Sequence, residues 1–377
     1  MKIPEMRIAL FTGAYNHIAD GVSLTLNRLV AYLEHLGANV RVFAPTKSPP
    51  ALQHAGTLVA VPSFAAPGRP DYRVSLGLSR AARSILTEFS PNLFHIATPD
   101  LLGLSALRTG GRMGITTVAS YHTHFASYLD YYRLGSLENA TWGYLRWFYG
   151  QCRHVYVPTP SMIDVLIAHG VDNGLKLWPR GVDSSLFSPA KRSVEWRRAR
   201  GIADSDTVVL FVSRLVMEKG LSVVIDVAAG LRERQSQHRV VIVGDGPERS
   251  NLASAIPGAI FEGHQKGDDL ATAYASSDVF LFPSETETFG NVTLEALSSG
   301  LPAVVADATG SNSLVQDGAN GFLTTPRASQ EFVEHVDRLI RDEALRRRMS
   351  EAARNSAIGY EWNRVLGQIA AYYEELD

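Results

Sequence analysis

Short apolar runs alternate with longer amphipathic stretches along almost the whole chain, and this alternation limits the fold more than any other feature. Residues 7–11 read as a strand, 21–36 as a helix and 39–44 as the next strand. In that helix Leu24, Leu26, Leu29, Val30, Leu33 and Leu36 return mostly at three- and four-residue steps, and Gly37 follows as a stop. Further strands are expected at 57–61, 92–96, 116–120, 155–158 and 176–178, with helices at 75–89, 100–112, 138–153 and 161–169 between them. Strand–helix–strand alternation of this kind implies a parallel sheet covered by helices on both faces.

A second series follows the stretch Arg180-Gly181-Val182-Asp183-Ser184-Ser185-Leu186-Phe187-Ser188-Pro189, which has turn chemistry and no periodicity. Strands are expected at 207–213, 239–244, 259–262, 278–282 and 303–306, and helices at 220–235, 247–256, 268–275, 291–299 and 329–341. The end of the chain, rich in Arg, Glu and Ala, reads as two or three terminal helices. A length of 377 residues exceeds one comfortable core. The expected division is 1–184, 185–360, and a terminal helix at 361–377 packing back on the first domain. The fold class is therefore α/β, with two doubly wound parallel sheets facing a deep cleft. Ligands of such sheets bind beyond the carboxyl ends of the strands, so motifs just after strands are the ones to read.

Composition narrows the chemistry. With 36 Lys+Arg against 38 Asp+Glu, the net charge of -2 provides no broad field for nucleic acid and leaves room only for a local basic patch. The single cysteine, Cys152, excludes an intrachain disulfide framework and a Cys-based zinc site, and reads as a half-buried thiol. No run approaches the ~18–20 apolar residues that cross a bilayer. Met1-Lys2-Ile3-Pro4-Glu5-Met6-Arg7 lacks a signal peptide's apolar core, so cytoplasm is the expected location, with contact at the inner face of the plasma membrane left open.

Four strand-end motifs carry chemistry. In Ser213-Arg214-Leu215-Val216-Met217-Glu218-Lys219-Gly220, two cations leave a strand together ahead of a helix N-terminus, an arrangement suited to a diphosphate. A solvated Arg and a surface Lys would give the same letters. In Ser284-Glu285-Thr286-Glu287-Thr288-Phe289-Gly290-Asn291-Val292-Thr293-Leu294-Glu295, the loop carries Glu287 and the following helix carries Glu295. The N–H groups of Gly290, Asn291 and Val292 are free to bind phosphate or sugar hydroxyls, although carboxylates before a helix also simply complement its dipole. Ser120-Tyr121-His122-Thr123-His124-Phe125 places His122 at a strand's carboxyl end; the histidine pair lacks further ligands at metal-binding spacing. Ala19-Asp20-Gly21-Val22-Ser23 occupies the place of a dinucleotide fingerprint, yet no G-x-G-x-x-G follows the first strand. Gly244-Asp245-Gly246-Pro247 has G-x-G without the third glycine.

Taken in order on two α/β domains, these motifs resemble the retaining glycosyltransferases of the GT-B fold, family 4. The resemblance runs from Met6 to the terminal helices and is carried by Asp20-Gly21-Val22, Arg214 with Lys219, Gly244-Asp245-Gly246-Pro247, and Glu287-Thr288-Phe289-Gly290 followed by Glu295. It implies a nucleotide-sugar donor, UDP- or GDP-linked, in the C-terminal domain and an acceptor in the N-terminal one. Arg214 and Lys219 would hold the diphosphate in place of a metal ion. Glu287, with Phe289, Gly290, Asn291 and Val292, would hold the sugar; Glu295 would bind the ribose, with Gly246 nearby and His264 close to the base. Gly21 and His122 would reach the donor from the first domain. The implied reaction retains anomeric configuration, needs no cofactor or metal, and gives an α-glycoside.

The His122 segment, with Trp142 and Arg146-Trp147-Phe148, looks like the branch holding sulfoquinovosyldiacylglycerol synthases and bacterial α-mannosyltransferases, so the acceptor leans towards a membrane lipid. Aromatics at helical spacing are more often core, and the helix at 138–153 is expected to be mostly buried. One departure stands out. Many relatives carry Pro-Glu after the strand at 303–306, where this chain has Gly310-Ser311-Asn312-Ser313. A nucleotide-sugar epimerase, a non-catalytic sugar-nucleotide module, and a polysaccharide or small-molecule acceptor are the competing readings.

Overall fold

The computed structural model describes residues 1–18, 20–66, 69–122 and 138–376. The chain forms two compact units, Met1–Pro179 with Asn363–Asp377, and Arg180–Trp362. The first holds a seven-stranded sheet in the order β3-β2-β1-β6-β7-β8-β9. Its strands are β1 Arg7–Phe11, β2 Asn39–Ala44, β3 Thr57–Ala60, β6 Leu93–Ile96, β7 Thr116–Ser120, β8 Val155–Val157 and β9 Leu175–Leu177. The second holds a six-stranded sheet in the order β12-β11-β10-β13-β14-β15, built from β10 Thr207–Val212, β11 His238–Val243, β12 Ile260–Gly263, β13 Val279–Phe282, β14 Ala303–Ala306 and β15 Gly321–Thr324. Every pairing in both sheets is parallel. Strands of continuous apolar residues, such as Thr207–Val212 with all six residues buried, are what covering both faces requires.

The strand-end glycines and polar caps decide where helices begin. Residues 75–89 were expected to be helical, but the helix is Arg80–Phe89. Ser79 caps it, its Oγ accepting the Ala82 N–H at 3.1 Å, and Gly77 just before it has a φ of +87°. The residues ahead form an antiparallel hairpin absent from the sequence reading, β4 Ser63–Ala66 with β5 Arg69–Ser75. Arg73 ties it together through Nε to Ser63 Oγ at 2.8 Å. Strand β15 was also unforeseen, because Gly321 and its flanking turn mask a four-residue run. Gly321 must be glycine here, since a Cβ would sit 2.1 Å from the Ala303 carbonyl oxygen of β14.

In the first unit Phe11 stacks on Phe43 at 5.1 Å and meets Phe94 at 4.9 Å. The helix Glu138–Gly150 contributes Trp142, Leu145, Phe148 and Tyr149 to this core and leaves Trp147 47% exposed. Cys152 is buried, and burial pushes its thiol up to about 12. The last helix, Trp362–Glu374, buries Tyr373 against the sheet, where its hydroxyl meets His95 Nδ1 at 2.6 Å. Among the described residues no helix is long and apolar enough to cross a membrane.

Candidate active site

The second unit brings two of the strand-end motifs together. After β10 the chain passes Arg214, makes a short 3-10 turn at Met217–Lys219, and enters the helix Leu221–Glu233. Gly220 between them has a φ of +72°, and its absent Cβ would lie 2.7 Å from the Pro283 carbonyl oxygen. That close approach draws the β10 loop against the β13 loop. Lys219 Nζ consequently donates to Glu287 Oε1 at 2.5 Å, with both side chains largely shielded. The buried Ser284 donates to the same carboxylate oxygen at 3.2 Å. Arg214 is exposed, and among the described residues its guanidinium has no hydrogen-bond or ion-pair partner. A shielded Lys–Glu pair beside an open guanidinium offers a fixed carboxylate for hydroxyls and cationic groups for an anion.

Helix Asn291–Ser298 starts at Gly290, which has a φ of +95°. Phe289 before it is buried and meets Tyr360 edge-on at 6.0 Å, while Asn291 is exposed and Val292 half-buried. One and a half turns in, Glu295 is neither a surface residue nor a free one. Its carboxylate is enclosed, Oε2 accepts the Tyr274 hydroxyl at 3.1 Å, and the same hydroxyl lies 3.2 Å from the Val292 carbonyl. Burial raises Glu295 to about 7, against the opposing effect of the Tyr274 hydrogen bond. The loop after β14 braces the turn from behind. Gly310 has a φ of +90°, and a Cβ there would lie 2.6 Å from the Glu287 carbonyl oxygen and 2.9 Å from the Phe289 nitrogen. Ser311, fully buried, lies 3.3 Å from the Thr293 hydroxyl. The departure from Pro-Glu thus leaves the Glu287 loop supported by backbone contact.

The loops after β11 and β12 pack beside them. A Cβ on Gly244 would come within 1.8 Å of the Ser213 carbonyl oxygen, and one on Gly246 within 2.4 Å of that of Leu215. Gly246 therefore serves first to let two loops touch. His264, just past β12, is exposed.

In the first unit, Gly21 is the first residue of the helix Gly21–His35. Asp20 caps it, Oδ1 accepting the Ser23 N–H at 2.8 Å, so this carboxylate is engaged locally. His122 lies two residues beyond β7, buried, its ring 5.2 Å from that of Trp178. Thr123, His124, Phe125 and Ala19 lie outside the described residues. In the same unit, the fully buried His95 bridges Tyr373 and, through Nε2, the Ser120 hydroxyl. Sequence reasoning missed Tyr274, Ser284 and His95. Tyr274 and His95 are ordinary core residues by pattern with partners distant in sequence, and Ser284 read only as the first letter of the Glu287 loop.

Two parallel-sheet units with this loop chemistry define the GT-B class of glycosyltransferases. The solved structure of sucrose-phosphate synthase from Thermosynechococcus elongatus shares the fold, with a TM-score of 0.79 at 18% identity over 98% of each chain. Two family models match, "Glycosyltransferase Family 4" over residues 19–186 and "Glycosyl transferases group 1" over 193–356. A GDP-mannose-dependent alpha-mannosyltransferase of Corynebacterium glutamicum is 32% identical, over 99% of this chain and 90% of its own. The sulfoquinovosyl transferase SQD2 of Arabidopsis thaliana is 33% identical, over 94% of this chain and 71% of its own. The chain belongs to glycosyltransferase family 4.

Proposed function

We propose that this glycosyltransferase works with retention and without a metal ion, moving a sugar from a nucleotide-diphosphate donor to a lipid hydroxyl. The observation that carries the reading is the pairing of Lys219 with Glu287, 68 residues apart in sequence, at the carboxyl ends of β10 and β13. Arg214 and Lys219 hold the donor diphosphate and neutralise the charge that grows on it as the bond to the sugar breaks, the part magnesium plays elsewhere. Glu287 accepts from the sugar hydroxyls, with the backbone of Phe289, Gly290, Asn291 and Val292 beside it. Glu295 accepts from the ribose. Gly246 and His264 flank the nucleotide. The donor C1–O bond breaks towards an oxocarbenium-like state, the acceptor oxygen bonds to C1 on the same face, and its proton passes to the departing phosphate.

The Corynebacterium relative is named for GDP-mannose, which makes GDP-mannose the first donor to test, with UDP-sugars the second. The alpha-monoglucosyldiacylglycerol synthase of Acholeplasma laidlawii, 25% identical over 88% of this chain, is named for a diacylglycerol product, which supports a lipid acceptor and with it a place at the membrane's inner face. Incubation with each donor, with and without diacylglycerol-type acceptors and with EDTA, tests the reading. It expects acceptor-dependent release of nucleoside diphosphate, an α-linked product by NMR, and no loss with chelator. A β-linked product, or isomerised donor without acceptor, contradicts it.

A further inference from the structure

We infer that the first unit binds anionic lipid bilayers through the groove between helices Arg80–Phe89 and Leu101–Met113, and not through the aromatic helix Glu138–Gly150. The groove has a volume of about 240 Å³ and is lined by Arg83, Arg108 and Arg112 together with Leu76 and Leu101. All three arginines are exposed. Among the described residues, no ion pair or hydrogen bond engages their guanidinium groups. No carboxylate lines the groove. Asp100, next to Leu101, is spent on capping its helix, Oδ1 accepting the Gly103 N–H at 2.9 Å. Leu76 and Leu101 are 62% and 55% exposed, the two most exposed of the described leucines.

Three unpaired arginines match a phosphate-rich surface, but a soluble anion would leave the two leucines in water. An anionic bilayer satisfies both, with guanidinium groups at the headgroups and leucines at the acyl boundary. By contrast, the helix Glu138–Gly150 spends Trp142, Leu145, Phe148 and Tyr149 on the core, and Trp147 is its only large exposed apolar side chain.

The inference gains its biological sense from the lipid-acceptor reading, so it is tested without donor or acceptor. Wild type is expected to float with vesicles containing phosphatidylglycerol at low salt, to be released at high salt, and to ignore pure phosphatidylcholine. Combined Arg83→Ala, Arg108→Ala and Arg112→Ala should weaken binding about 100-fold, and Leu76→Ser with Leu101→Ser should weaken it further. Both variants should keep donor binding, since none of these residues belongs to the transfer site. Absence of flotation, equal flotation on phosphatidylcholine, or full binding by the triple arginine variant overturns the inference. So does loss of binding by Trp147→Ala alone.

Discussion

Glu295 and Glu287 are both carboxylates of one short segment, yet their surroundings give them different states. Glu287 is held by Lys219 and Ser284. Glu295 is enclosed with only the Tyr274 hydroxyl on it, and sits at about 7. A raised carboxyl keeps its proton in the folded state where the unfolded chain, near 4.5, has lost it. The folded protein therefore carries the whole cost of the buried charge above about pH 7, and that cost fades as pH falls towards 4.5. Glu295→Gln should accordingly be more stable than wild type at alkaline pH, by about 1–3 kcal/mol, with the gap closing in mild acid; thermal unfolding across pH measures it. An ionised carboxylate accepts ribose hydroxyls more strongly than a neutral one, so nucleotide affinity of wild type should drop below pH 7. Calorimetric titration with GDP checks this, and Glu295→Gln should flatten the profile. A flat wild-type profile would remove Glu295 from the nucleotide site.

At the scale of elements, strand ends are held by groups from elsewhere in the chain. The last helix reaches β6 through Tyr373 and His95, and His95 passes the link to Ser120 at the end of β7. Burial pushes His95 down to about 3, so the ring is neutral and needs one donor and one acceptor. Tyr373→Phe leaves one ring nitrogen unpaired in a dry core and should cost about 1–3 kcal/mol, read from denaturant unfolding. Apart from β15, the strands of the two parallel sheets and most helices were legible because their apolar runs are unbroken. The hairpin β4–β5 and strand β15 were not, since four- and seven-residue runs bounded by Gly, Pro and Arg lack a period long enough to register. Gly310-Ser311, in the letters only a departure from Pro-Glu, lets the fold bring the loop after β14 against the Glu287 carbonyl.

Across the whole molecule, each unit carries its own sheet and core, and the groups proposed above to hold the diphosphate belong to Arg180–Trp362. Arg214, Lys219, Glu287 and Glu295 were singled out from spacing and family resemblance, and they remain the proposed site residues. The Lys219–Glu287 bond and the Tyr274–Glu295 contact were not legible, because the first joins loops after two strands across 68 positions and the second joins two helices across 21. Ligand linkage offers a global check. GDP at about 100 times its Kd should stabilise wild type by about 2.7 kcal/mol, and the double variant Arg214→Ala, Lys219→Ala should lose that shift in a thermal melt.

The central claim is that Lys219 and Glu287 form the working centre of glycosyl transfer. It is tested most directly by acceptor-dependent nucleotide release in purified Lys219→Ala and Glu287→Ala, alongside their unfolding curves. The account predicts that both variants stay folded and lose turnover by about 10²-fold or more, the scale of one removed transition-state contact. Folded variants that turn over like wild type would contradict it.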